Sequence, residues 1–210
     1  EIPIPDRNRT ELSLPFRGRW HVTWGGDTRE LNRHHGVRSQ RYAFDFRVVD
    51  KDGSSHEGTG NENADYYAFG KKILAPAPGS VTEVIRGVHD CEPGTMNSYS
   101  ALGNAVFIRH AAHEVSVLAH LQQGSIRVER GQEVERGQVM GLCGNSGNSS
   151  EPHLHYHLQN TLRIEEATGI KCYFRDVRAG PAGQIRHRDS YSPVRDELVA
   201  PARDAGSGGT

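Results

Sequence analysis

Short alternating runs, each broken by turn-forming residues, set the pattern of this chain. Residues 19–24 alternate as a strand and stop at Gly25-Gly26. Residues 41–49 read as a second strand. There Tyr42, Phe44 and Phe46 point one way and Ala43 and Asp45 the other, because side chains of an extended chain alternate faces. Residues 73–84 contain Ala75-Pro76-Ala77-Pro78-Gly79, a turn between two short strands. Residues 104–110 and 114–121 form a predicted strand pair, and residues 152–159 a further strand. The stretches 51–63, 90–102 and 141–150 are irregular, largely Gly-, Ser- and Asn-bearing, and read as loops. A short repeat, Val128-Glu129-Arg130-Gly131-Gln132, recurs as Val134-Glu135-Arg136-Gly137-Gln138, with each Gly suited to a tight turn. No amphipathic helical stripe of any length occurs.

The pattern predicts a mainly β protein: one antiparallel domain over residues 1–200 that begins with an extended arm of about fifteen residues, and a flexible Ala/Gly/Ser tail over 201–210. A length of 210 residues suits one core. With 24 glycines and 10 prolines the strands must be short and the turns many. A net charge of -1 lacks the basic surface that nucleic-acid binding requires, so no nucleic-acid partner is expected. No apolar run reaches the ~18 residues of a transmembrane helix. Glu1 is not an initiating methionine, and an export signal removed upstream is compatible with that. Cys91, Cys143 and Cys172 are either three separate thiols or one disulfide and a buried thiol, the second arrangement belonging to an extracellular setting.

The strongest segment chemically is His153-Leu154-His155-Tyr156-His157-Leu158. On a strand its three imidazoles share one face and Leu154, Tyr156 and Leu158 the other. The apolar face can sit on a core. The imidazole face needs a partner, and neutral imidazole is a good zinc ligand. Catalytic zinc takes three protein ligands and keeps one position open. Asp45, alone among apolar neighbours, must be paired or coordinated, since an isolated buried carboxylate is costly. Just upstream lie His34 and His35, adjacent and so on opposite sides of an extended backbone.

Taken in order, Gly103-Asn104, the strand ending at His110, Leu118-Ala119-His120-Leu121, the Gly-Gln repeat, Gly144-Asn145-Ser146-Gly147 and Pro152-His153-Leu154-His155 resemble the M23 (lysostaphin/LytM-type) metallopeptidases. The resemblance covers residues 34–159. It implies an antiparallel β-sandwich-like fold of the LytM/duplicated-hybrid-motif type with long surface loops, one catalytic Zn2+, and cleavage of peptides in bacterial peptidoglycan. It places metal ligands at Asp45 and His155 and catalytic residues at His120 and His153. Leu118 stands where the family often has Tyr. The family's first ligand lies four residues before the Asp, where this chain has Arg41. The Asn32-Arg33-His34 form ahead of Gln40-Arg41-Tyr42-Ala43-Phe44-Asp45 is similar to a variant of the family in which His34 takes that place, ahead of His35.

The resemblance therefore implies a secreted or envelope-located, monomeric peptidase that meets peptidoglycan peptides or another extracellular peptide. Without a His-Glu-x-x-His helix, His120 and His153 are the expected proton carriers and oxyanion partners. His157 either orients a ligand or faces solvent, and His110 and His113 are structural or exposed. Two rivals are a non-catalytic relative that binds or regulates at the envelope, and a β-rich carrier domain. The first need not keep His120 and His153, and the second does not call for Asp45 with an H-x-H strand.

Overall fold

The computed structural model describes residues 6–202. Thirteen strands follow in chain order: β1 Trp20–Trp24, β2 Phe44–Arg47, β3 Lys72–Leu74, β4 Gly79–Ile85, β5 Asn104–Ala111, β6 Glu114–Leu121, β7 Glu133–Val134, β8 Val139–Leu142, β9 Leu154–Gln159, β10 Gly169–Ile170, β11 Phe174–Gly180, β12 Arg186–Tyr191 and β13 Leu198–Pro201. Helical structure among the described residues is confined to 3-10 turns of three or four residues. The large sheet runs β12-β11-β13-β1-β2-β9-β6-β5-β4-β7, with β10 added beside β9, and β3 pairs with β8 in a small second sheet. Every strand pairing is antiparallel. The mainly β, antiparallel expectation holds.

Phe44, Phe46, Leu118, Leu154, Tyr156 and Leu158 of the large sheet share one buried cluster with Ile73 and Met140 of the small one, so the two sheets form layers over a common core. Burial of each such side chain contributes about 1.5–3 kcal/mol. The central strand, β9, is buried along its whole length. It lies between β2, where Asp45 pairs with His155, and β6, where Ala119 pairs with His155. That register places Asp45, His155 and His157 relative to one another.

Two expectations need correcting. The second strand is shorter than residues 41–49. Asn32 binds the carbonyls of Arg41 and Ala43 with its side chain, so those groups are lost to the ladder and the strand starts at Phe44. The extended N-terminal arm enters the core. Leu12, Leu14 and Phe16 are core residues, and the buried Glu114 carboxylate accepts the backbone N–H groups of Arg9 and Thr10. Pro201 closes β13, so the expected tail cannot begin there; its residues 203–210, like residues 1–5 of the arm, lie outside the described part. The cysteines are three separate thiols.

The repeat forms two equivalent turns. Gln132 N–H donates to Glu129 O and Gln138 N–H to Glu135 O, both at 3.1 Å, while each Gln side chain accepts the N–H of the same Glu at 3.1 Å. Gly131 (φ +87°) and Gly137 (φ +79°) supply the left-handed residue each turn needs. Gly103 (φ +60°) is more constrained, since a Cβ there would fall 2.2 Å from the Ser146 carbonyl oxygen. Gly131→Ala should cost about 1–2 kcal/mol from backbone conformation alone, because nothing lies within 4 Å of its added methyl. Gly103→Ala should cost distinctly more. Urea unfolding of both variants checks this, and equal losses would contradict the packing at Gly103.

Candidate metal centre

A single buried carboxylate organises the site. Asp45 is 2% exposed and sits on β2 directly opposite His155 of β9. Its Oδ1 lies 2.9 Å from His155 Nδ1 and 3.7 Å from His153 Nε2, and its Oδ2 lies 2.9 Å from His34 Nε2. The donor atoms of His34, Asp45 and His155 all fall within 4.8 Å of one another, which suits a single metal ion.

His34 arrives from outside the sheet, on the 3-10 turn Arg33–Gly36. Buried Asn32 holds that turn in place. Its Oδ1 accepts His34 N–H at 3.0 Å, and its Nδ2 reaches the carbonyls of Gly26, Arg41 and Ala43 at 3.0, 3.2 and 3.0 Å. The longer connection before Asp45 is thus tied to the start of β2. His35 is not part of the cluster. Arg33 is: its guanidinium lies 3.0 Å from Asp45 Oδ2, a partner that sequence reasoning missed because nothing marks Arg33 except its place beside His34.

His120 and His153 complete the group. The ring centroids of His120 and His153 are 4.7 Å apart, and those of His120 and His155 5.8 Å. His120 occupies a left-handed conformation (φ 60°) where the β5–β6 register shifts, a strained placement for a non-glycine residue. Its Nδ1 lies 2.8 Å from the Ser146 carbonyl and so carries the proton, which leaves Nε2 as the acceptor. His153 is arranged alike: Nδ1 donates to the Glu151 carbonyl at 2.8 Å, with Ser149 Oγ at 3.1 Å. Its Nε2 is buried without a hydrogen-bond partner. The loop carrying Ser146 and Ser149 is itself pinned. Asp90 accepts Asn145 N–H at 2.7 Å and Gln123 N–H at 3.0 Å, and Asn145 Nδ2 reaches Cys91 O and Asn63 Oδ1, each at 3.0 Å.

Burial pushes every imidazole of β9 and its approach towards the neutral form. It lowers His120 well below the usual range, with His153 and His155 adding to the effect, and it lowers His153. Burial also lowers His155 to about 4, against the pull of Asp45, and His157 to about 3. For Asp45, burial works upward, but His34 and His153 outweigh it and hold the carboxyl well below its usual value.

His157 does not face solvent. It is 1% exposed, and its ring lies 3.0 Å from His155 Nε2 and 2.9 Å from Gln159 Oε1. Gln159 was not anticipated, although its place two residues on, along the same strand face, was there to be read. His110 is structural: it binds Pro78 O at 2.7 Å and Ser116 Oγ at 2.8 Å, and Ser116 continues to Tyr156 OH at 2.9 Å. His113 is exposed.

The donor set fits zinc. One carboxylate and two imidazoles converge, and a further buried imidazole nitrogen points at the same carboxylate with no protein partner.

Comparison with known proteins bears on the same region. Peptidase family M23 matches residues 59–165, just over half of the chain. That span includes His120, His153 and His155 and excludes His34 and Asp45. The peptidoglycan DD-endopeptidase ShyA of Vibrio cholerae is 46% identical over 56 residues, 27% of this chain and 13% of that protein. The peptidoglycan DD-endopeptidase ShyC of the same organism is 33% identical over 103 residues, 49% of this chain and 19% of that protein. The chain thus spans less than a fifth of either relative's length. Among solved structures, the catalytic domain of the prophage-encoded M23 protein EnpA from Enterococcus faecalis matches at 21% identity and a TM-score of 0.49, covering 76% of this chain and 93% of that one.

The lowered imidazole pKa values carry a pH dependence. Metal-free protein holds His155 and His157 neutral down to about 4 and about 3, whereas the unfolded chain protonates both near 6.5. As pH falls from about 6.5 towards 4, the unfolded state binds more protons and native stability drops. The urea midpoint of chelator-treated protein should therefore be lower at pH 5 than at pH 7.5. An equal or higher midpoint at pH 5 would contradict the neutral assignment.

Proposed function

The chain belongs to peptidase family M23, and from that membership we propose that it is a zinc-dependent endopeptidase that cuts peptide bonds in bacterial peptidoglycan. One observation carries the proposal. His34, Asp45 and His155 converge on one point, and two further imidazoles beside them keep an unprotonated Nε2. In this reading the chain through the end of β13 is one peptidase domain that acts as a secreted or envelope-located monomer. ShyA and ShyC are named as peptidoglycan endopeptidases, and their likeness to this chain supports the same polymer as substrate.

The metal would be held by His34 Nε2, an Asp45 oxygen and His155 Nδ1. Zinc bound there supplies a Lewis acid, which makes water a nucleophile near neutral pH and polarises a carbonyl. The chain's own groups do the rest. His120 and His153 enter the reaction neutral, each with its Nδ1 proton fixed on a backbone carbonyl, so Nε2 is the only basic atom either can offer. Their Nε2 atoms take the proton released as water attacks the scissile carbonyl and return it to the leaving amine. The resulting imidazolium next to the reaction centre stabilises the oxyanion. Arg33 pairs with the Asp45 carboxylate and balances its charge.

Elemental analysis should find one zinc per chain. His34→Ala and His155→Ala should lose that zinc together with activity, while His35→Ala should keep it. Loss of zinc in His35→Ala with retention in His34→Ala would reverse the ligand assignment. His120→Ala and His153→Ala should retain zinc and lose activity on the order of 100-fold or more. Near-normal turnover in His120→Ala would remove it from the mechanism. Mass spectrometry of purified cell walls digested by the protein should show new peptide termini. Intact walls alongside full zinc occupancy would favour a binding module.

A further inference from the structure

The imidazole face of β9 continues beyond the site. His155, His157 and Gln159 stand two residues apart on one face of the strand, all buried, and their side chains join in a line. His155 Nε2 meets His157 Nδ1 at 3.0 Å, and His157 Nε2 meets Gln159 Oε1 at 2.9 Å. Gln159 Nε2 donates to Thr161 O at 2.7 Å and to Leu162 O at 3.3 Å.

Donor and acceptor roles in this line follow from its far end. Two backbone carbonyls take the Gln159 amide hydrogens, so Oε1 is the atom turned to His157 and can only accept. His157 Nε2 must then donate. The His157 ring is buried with no carboxylate in contact and is neutral, so its Nδ1 accepts. His155 Nε2 must therefore carry a proton. In neutral His155 this leaves the Nδ1 lone pair aimed at Asp45 Oδ1, 2.9 Å away. Two acceptors at that distance repel, and a cation shared between them removes the repulsion. If the line is broken, His155 is free to move its proton to Nδ1 and donate to Asp45, and a metal must then displace that hydrogen bond.

We propose that His157 and Gln159 are positioning residues that fix the tautomer of His155, anchoring its proton on Nε2 through the loop carbonyls of Thr161 and Leu162 so that Nδ1 is the atom offered to zinc. This rests on the reading of His155 as a zinc ligand. Partners of this kind commonly change metal affinity 10–100-fold.

The test uses zinc itself, with affinity read by competition against a chromophoric chelator. His157→Phe keeps the ring volume without an acceptor and should weaken zinc binding about 10–100-fold. His157→Asn puts Oδ1 where Nδ1 stood and should recover affinity to within a few-fold of wild type. A purely packing role would instead lower the urea midpoint of His157→Phe and leave zinc affinity alone, which overturns the proposal. Equal weakening in both variants also overturns it, because the acceptor would then not matter. Should either variant fold poorly, 15N NMR of zinc-free wild-type protein decides by itself. A His155 proton on Nε2 supports the relay, and one on Nδ1 overturns it. Wild-type protein that takes up no zinc sinks the ligand reading and the relay together, whereas wild-type binding with unchanged affinity in His157→Phe removes the relay alone.

Discussion

A carboxylate in the middle of a sheet, with only 2% of its surface exposed, cannot stand unanswered. Asp45 is answered from three directions. His155 faces it across the β2–β9 ladder, His153 approaches from the residue before β9, and Arg33 and His34 descend from the turn above. Much of the surrounding structure serves that convergence. Asn32 ties the turn to the start of β2, and Asp90 and Asn145 tie down the loop whose carbonyl orients His120. The strained backbone at His120 is held by its own peptide groups, since its N–H donates to Leu102 O and its carbonyl accepts Gly144 N–H.

Strand β9 separates two tasks by alternation alone. Leu154, Tyr156 and Leu158 hold it in the main core, so the opposite face is fixed in register without stabilising itself. A slip of one residue would put imidazoles in the core and leucines at the metal centre. The polar face is instead closed by hydrogen bonds, from His155 through His157 and Gln159 to the backbone after the strand. Rigidity of the centre and stability of the sheet thus share one element.

Sequence made the strands of the central sheet legible because their apolar and β-branched residues form short runs bounded by turn residues, as at residues 104–110 and 114–121. The H-x-H face was legible because apolar and imidazole positions alternate along it. The strands after residue 159 were not read. In β11 the buried residues are Phe174, Val177, Ala179 and Gly180, and the left-handed Asp176 (φ 52°) among them breaks the two-residue period. Arg186–Tyr191 of β12 is polar and almost wholly exposed, so it offers no pattern at all. At the site, geometry alone could show that Arg33 shares Asp45 with His34, or that Gln159 accepts from His157. Neither contact follows from residue type. The family match, over residues 59–165, stops short of His34 and Asp45 and so carries no assignment of those two residues.

The claim on which the account turns is that one zinc ion sits where Asp45, His34 and His155 meet, bound to His155 through Nδ1. Diffraction from zinc-grown crystals, with anomalous data on both sides of the zinc absorption edge, would test it directly. The account predicts a single strong peak at bonding distance from His34 Nε2, an Asp45 carboxylate oxygen and His155 Nδ1. A peak held by His155 Nε2 or by His35, or no peak among these residues, would contradict it.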